Sequence, residues 1–203
     1  MSSDLLRFGP LTDRTFHLCV DMQNLFAEET PWHTPWMKRV VPVVERIARH
    51  APAQTVFTRF IPAASRDELP GAWRRYYDNW NELMLGRIDP RLLELVPPLG
   101  EFVPPGVVLD KKVYSPFFTP ELVTLLRERG VDSLVITGAE TDVCVLAAVL
   151  GAVDHGYRVV VPTDAICSSS DETHDALLTL YQHRYGRQIE TADTETVLSC
   201  WLL

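Results

Sequence analysis

The alternation of two segment types limits what this chain can fold into. Short apolar runs read as strands: "TFHLCVD" (15–21), "QTVFTRF" (54–60), "GVVLDKK" (106–112), "DSLVITG" (132–138) and "YRVVVPTDA" (157–165). Between them lie segments with apolar residues at helical spacing: 36–50, 120–130, 142–156 and 168–186. Pro42 interrupts the first of these. The second has Pro near its start and Gly at its stop, as a helix prefers. In the last, Ser169 and Glu172 fit a capping box. "QIETADTETVLSC" carries a short last strand, and 61–90 reads as an aromatic excursion with a helical turn or two. Strands that alternate with helices imply βαβ units, hence an α/β three-layer sandwich with a mainly parallel central sheet and helices on both faces. The chain has 203 residues and shows no repeat, linker or low-complexity tract, so one domain over 1–203 is expected.

Charge and composition narrow the function classes. The formal net charge is −8, whereas nucleic-acid binding needs a basic face, so no nucleic-acid partner is expected. No apolar run is long enough to span a bilayer, and the N-terminus lacks a basic region followed by an apolar one, so a cytoplasmic protein without a membrane partner is expected. The four cysteines, Cys19, Cys144, Cys167 and Cys200, form no C-x-x-C pair, which argues against a zinc site or redox dithiol.

In open parallel sheets ligands bind beyond the carboxyl ends of the strands. Asp21, Lys111 (with Lys112) and, just past the fourth strand, Cys144 stand at such ends. A thiol at the start of a helix and beside an ammonium is favoured as thiolate. An aspartate in reach can take the thiol proton and return it to a leaving amine. Backbone N–H groups of "GAETDVC" can hold an oxyanion. Each residue also has an ordinary reading: a structural thiol, a turn or cap aspartate, surface lysines.

Three segments in order then carry a resemblance. "VDMQNLF", "LDKKVYSPFFTPEL" and "TGAETDVCV" resemble blocks of the isochorismatase-like cysteine hydrolases, a superfamily that includes nicotinamidases and N-carbamoyl amidohydrolases. The resemblance runs from about Thr15 to the C-terminus and implies a Rossmann-like topology. It also implies Asp21 as general base, Lys111 rather than Lys112 as its partner, and Cys144 as nucleophile. A cis Ala139–Glu140 bond and an oxyanion hole from the N–H groups of Glu140 and Cys144 are implied as well. The Asp-x-His metal motif of the nicotinamidase branch is missing from "FTRFIPAASRDELPGAW", so neither metal nor cofactor is expected. A cysteine at 144 favours C–N cleavage of a small amide, carbamoyl or ureido substrate through an acyl-thioester. The alternatives are isochorismatase-type vinyl-ether hydrolysis and a non-catalytic thiol redox sensor. Relatives imply a homodimer or homotetramer.

Phe26, Trp73, Tyr114 and Phe117 are the candidate substrate-binding residues. Tyr76, Tyr77 and Trp80 share the motif of Trp73, "AWRRYYDNW", and can equally seal a subunit interface; Trp32 and Trp36 have the same ambiguity. Arg59 is expected in a surface salt bridge rather than on a substrate carboxylate. His155 is expected to meet its helix dipole, and His174 and His183 to face solvent or an interface. Cys19 and Cys167 are expected as buried apolar thiols.

Overall fold

A computed structural model describes residues 5–203, so the first four residues of the expected 1–203 unit lie outside the described residues. In chain order the elements are β1 (Thr15–Val20), α1 (Asn24–Ala27), α2 (Met37–His50), β2 (Thr55–Phe60), α3 (Ala72–Asn79), α4 (Pro97–Gly100), β3 (Val107–Lys111) and α5 (Pro120–Glu128). There follow β4 (Ser133–Ala139), α6 (Leu146–Asp154), β5 (Arg158–Pro162), β6 (Ile166–Cys167), α7 (Asp171–His183), β7 (Ile189–Ala192) and α8 (Thr194–Cys200). The sheet order is β3-β2-β1-β4-β5-β7, with β6 added beside β4, and these strand pairings are parallel. The chain builds outward from β1 to β3, then returns to lay β4 against the other side of β1. The direction of winding therefore switches between β1 and β4, which opens a crevice at their carboxyl ends.

Both faces of the sheet are covered, which is why β1 is buried at every position. Phe16, Leu18 and Val20 pack into one core with Leu122, Leu126, Val145 and Val149. Cys19 points the other way, into a core with Met37, Val44, Ile47 and Val197. Each such aliphatic or aromatic side chain contributes about 1.5–3 kcal/mol when fully buried. His17 lies between the layers, with Nε2 2.7 Å from Thr137 Oγ1 and Nδ1 3.3 Å from Thr55 Oγ1. The Thr55 hydroxyl donates to the Ala51 carbonyl, so it accepts from His17 Nδ1–H, and Nε2 is left to accept from Thr137. Burial lowers the pKa of this imidazole to about 3.

The structure departs from the sequence expectations locally. Pro42 is accommodated inside α2, on its exposed side. The expected helix over 142–156 begins as one wide π-helical turn, Thr141–Val145, before α6. β6 and α8 were not anticipated. The capping box at Ser169 is not formed: Ser170 is the cap of α7 and accepts from Thr173 N–H, which frees Ser169 for another partner.

Candidate active site

Asp21 is the first residue beyond β1, and it has a left-handed backbone, φ 50°. A side chain in this region is strained, and the surroundings must hold it there. Thr58 of β2 does so twice. Its carbonyl accepts the Asp21 N–H at 3.1 Å, and its hydroxyl donates to Asp21 Oδ1 at 2.7 Å. Beside Val20, Gly138, the last residue but one of β4, has φ 112°, and a Cβ there would collide with the Val20 carbonyl. Only glycine lets β1 and β4 close together at this point. The next peptide bond, Ala139–Glu140, is cis.

Lys111 ends β3, two strands from β1, yet its ammonium reaches the crevice. The register pairs Lys111 with Phe60, and Nζ lies 5.1 Å from the centroid of that ring, so the side chain crosses over the end of β2. There Nζ is 2.7 Å from Asp21 Oδ2, 3.5 Å from Cys144 Sγ and 3.2 Å from the Val113 carbonyl. The three heads anticipated from the sequence are thus brought into direct contact, and the Asp21 and Lys111 side chains are almost completely buried. Oδ2 is held by the Lys111 ammonium, on the side of Asp21 opposite the oxygen that Thr58 holds.

Electrostatics correct one expectation. Burial raises the Cys144 thiol; Lys111 pulls it down and Asp21 pushes it up, and the net direction is upward. Burial also works against the Lys111 ammonium, but Asp21 and Cys144 outweigh it and hold its pKa above the ordinary value. The physical reason is charge count. Carboxylate plus ammonium plus thiol is neutral, whereas ionising the thiol to solvent leaves a net anion in a dry site. This direction favours the thiol, opposite to the thiolate expected from the helix start and the lysine.

Above the thiol lies a cavity of about 380 Å³. Phe26 and Tyr114 line it, as anticipated, together with Trp32, Phe60, Tyr76 and Trp80. Two candidates do not. Trp73 stands behind the wall, its ring 4.8 Å from Tyr114 and 5.3 Å from Tyr76, where it buttresses both. Phe117 turns away to stack on His155 at 5.0 Å, because Gly151 of α6 leaves room for its ring there. Arg59 is held bidentately by Asp110 and also by Glu94, as the surface reading anticipated.

Polar residues missed in the sequence complete the cavity. The Glu140 side chain lines it and takes hydroxyl donors from Thr34 and Ser169, each at 3.2 Å. Burial raises the Glu140 carboxyl, with Asp142 adding to the rise and the two hydroxyls opposing it. Asp142 accepts from Ser168 and Thr173, both at 2.5 Å, and Thr141 pairs with His174 Nδ1 at 2.8 Å. "SSSDETHD" therefore straps the turn that carries Cys144, and His174, half-buried, is part of that strap through Thr141. Only its serine-rich composition hinted at this. Among the described residues no three His, Cys, Asp or Glu side chains are grouped to hold a metal ion, and no helix is long and apolar enough to cross a membrane.

A parallel sheet with a carboxylate, an ammonium and a thiol gathered at its switch point defines the class, an α/β protein with a polar cluster beyond its strand ends. The isochorismatase domain model matches residues 15–193, and the chain belongs to that family. It is similar to a cysteine hydrolase structure from Pseudomonas syringae pv. phaseolicola 1448A, with a TM-score of 0.82, 26% identity and coverage of 98% of this chain and 97% of that one. It is 30% identical to the ureidoacrylate amidohydrolase RutB of Methylorubrum extorquens over 88% of this chain and 77% of the relative. It is 31% identical to a maleamate amidohydrolase of Pseudomonas putida over 61% of this chain, a match that spans only 56% of that relative.

Proposed function

We propose that this protein is a metal-independent cysteine amidohydrolase that cleaves the C–N bond of a small amide, carbamoyl or ureido compound. The observation that carries the reading is the single ammonium of Lys111, in contact with Asp21 Oδ2 at 2.7 Å and Cys144 Sγ at 3.5 Å. The names of the relatives, two amidohydrolases and a cysteine hydrolase, support the reaction class.

Passing the thiol proton to Asp21 keeps the total charge of the three groups constant, which ionisation to solvent does not. Substrate entry displaces water and brings a carbonyl carbon onto Sγ as the proton moves to Oδ2. The tetrahedral oxyanion is taken by the N–H groups of Glu140 and Cys144. Asp21 returns the proton to the leaving nitrogen, ammonia or an amine departs, and an acyl-thioester remains. Water, activated by the same carboxylate, releases the acid. Lys111 stays protonated throughout and holds whichever anion is present. A thiol shifted toward its protonated form reacts more slowly with peroxide, which disfavours the redox-sensor alternative.

The test is a screen of small amides and ureido acids for ammonia release, with Cys144→Ala as control. Turnover that vanishes in the variant, with an adduct of acyl mass on Cys144 in wild type, supports the reading. Undiminished turnover in Cys144→Ala overturns it. A chelator is expected to leave the rate unchanged; loss restored by zinc overturns the metal-independent part.

A further inference from the structure

The cavity wall has a charge pattern that the chemistry of its floor does not need. Trp32 is the hub of an aromatic cluster, its ring 6.2 Å from Phe26, 5.9 Å from Tyr76 and 6.1 Å from Trp80. Trp32 and Trp80 meet at 71°, so together they form a concave corner rather than a flat stack. Beside this corner stands Glu140, whose two carboxylate oxygens receive only neutral hydroxyls. Among the described residues no lysine or arginine lines the cavity. Lys111 is committed to Asp21 and Cys144, Arg59 to Asp110 and Glu94, and the one histidine at the wall, His33, lies 3.7 Å from Glu29.

A half-buried carboxylate without a counter-cation is costly unless a ligand supplies the charge. Aromatic ring faces are also negative, and a corner of such rings surrounds an alkylammonium well. An anionic substrate would meet repulsion from Glu140 and find no guanidinium or free ammonium in return. The net charge of −8 acts in the same direction at long range.

We propose that the substrate carries a cationic head, a substituted ammonium close to its scissile amide, seated in the corner of Trp32, Tyr76 and Trp80 against Glu140. This rests on the amidohydrolase reading and adds the substrate class to it. Glu140 thereby has two parts: its N–H serves the oxyanion and its side chain selects the head group. Phe60 is not part of the corner, because one face of its ring already serves Lys111.

The test uses three amides that differ in the charge of the head. Trimethylammonioacetamide and 3,3-dimethylbutanamide have the same shape, with a cationic nitrogen in one where the other has carbon; malonamate is the anion. The kcat/KM for ammonia release by the full chain is expected to favour the cation over its neutral isostere by about tenfold or more, with malonamate lowest. Glu140→Gln is expected to shrink the cation-to-neutral ratio by about tenfold, a quantity that a general loss of activity would not move. A ratio near one, or a preference for malonamate, overturns the proposal.

Binding is measured separately, by quenching of tryptophan fluorescence with choline against its neutral isostere 3,3-dimethylbutan-1-ol at constant ionic strength. Choline is expected to bind at least about tenfold more tightly. Equal binding overturns the head-group assignment whether or not any amide turns over. If choline is preferred and none of the amides yields ammonia, the fault lies with the reaction class and not with the head group.

Discussion

The floor and the wall of the active-site cavity are made in different ways. The floor is Asp21, Lys111 and Cys144, each at or just beyond the end of a sheet strand, with Thr58 beneath. The parallel register of β3-β2-β1-β4 sets Asp21 beside the reach of Lys111, and the π-helical turn that follows β4 sets Cys144. The wall is Phe26, Trp32, Tyr76 and Trp80, carried by segments outside the sheet and held by contacts between rings. Rigid elements carry the chemistry, and irregular ones carry selection. Damage to the floor should therefore strike kcat and stability together, while damage to the wall should strike KM.

The sharpest way to break this contrast is Lys111→Met. It leaves the Asp21 carboxylate buried without its cation, and a loss of about 3–5 kcal/mol in urea unfolding is expected. Turnover should fall on the order of a thousandfold. A variant that keeps wild-type kcat would show that the floor does not act through its ammonium.

Acid should also act below the wall. The folded-state pKa of His17 is lowered from 6.5 to about 3, so between these values the unfolded chain binds a proton that the folded chain does not. Stability is then full above about pH 6.5 and declines as the pH falls toward 3, by up to about 1.4 kcal/mol per pH unit from this group. Denaturation midpoints across that range, compared with those of His17→Gln, check the slope; equal slopes would remove His17 as its source.

Thr58→Val is the next smaller test. Removing the hydroxyl that donates to Asp21 Oδ1 should cost about 1–3 kcal/mol and lower kcat more than it raises KM. The smallest effect is expected for Trp80→Ala at the wall. There kcat/KM should fall about tenfold, mainly through KM, with less effect on stability than any floor variant because Trp80 is only partly buried. A fall carried by kcat instead would mean that wall and floor are not separable.

Legibility followed the same division. Strand ends located from apolar runs put Asp21, the Lys111–Lys112 pair and Cys144 on one side of a parallel sheet, and the resemblance of three segments to a known family then selected Lys111. Phe26 was within reach because that resemblance places an aromatic wall five residues after the aspartate, and Tyr114 because it follows Lys111 by three. Trp73 and Phe117 misled for a common reason. Trp73 was read as an aromatic of an excursion that could cover the site and Phe117 as a near neighbour of Lys111, and neither cue says which way a ring turns in a short helix or a 3-10 turn. Trp32 and Trp80 are about fifty residues apart and meet only because the excursion 61–90 folds back over the crevice. The strap of Ser168, Ser169 and Thr173 onto Asp142 and Glu140 was likewise masked, since the same residues read as helix caps.

The amino-acid order alone determined the alternation of strands and helices, the parallel sheet and the three residues at its carboxyl edge. These depend on periodicity and local stops, which are properties of neighbouring residues. Tertiary structure decided the direction in which the Cys144 thiol is shifted, the choice of aromatic rings that line the cavity and, among the described residues, the separation of Glu140 from any lysine or arginine. Each of these depends on burial and on distances between residues remote in the chain, and electrostatic energy in a dry cleft is set by those distances rather than by sequence spacing.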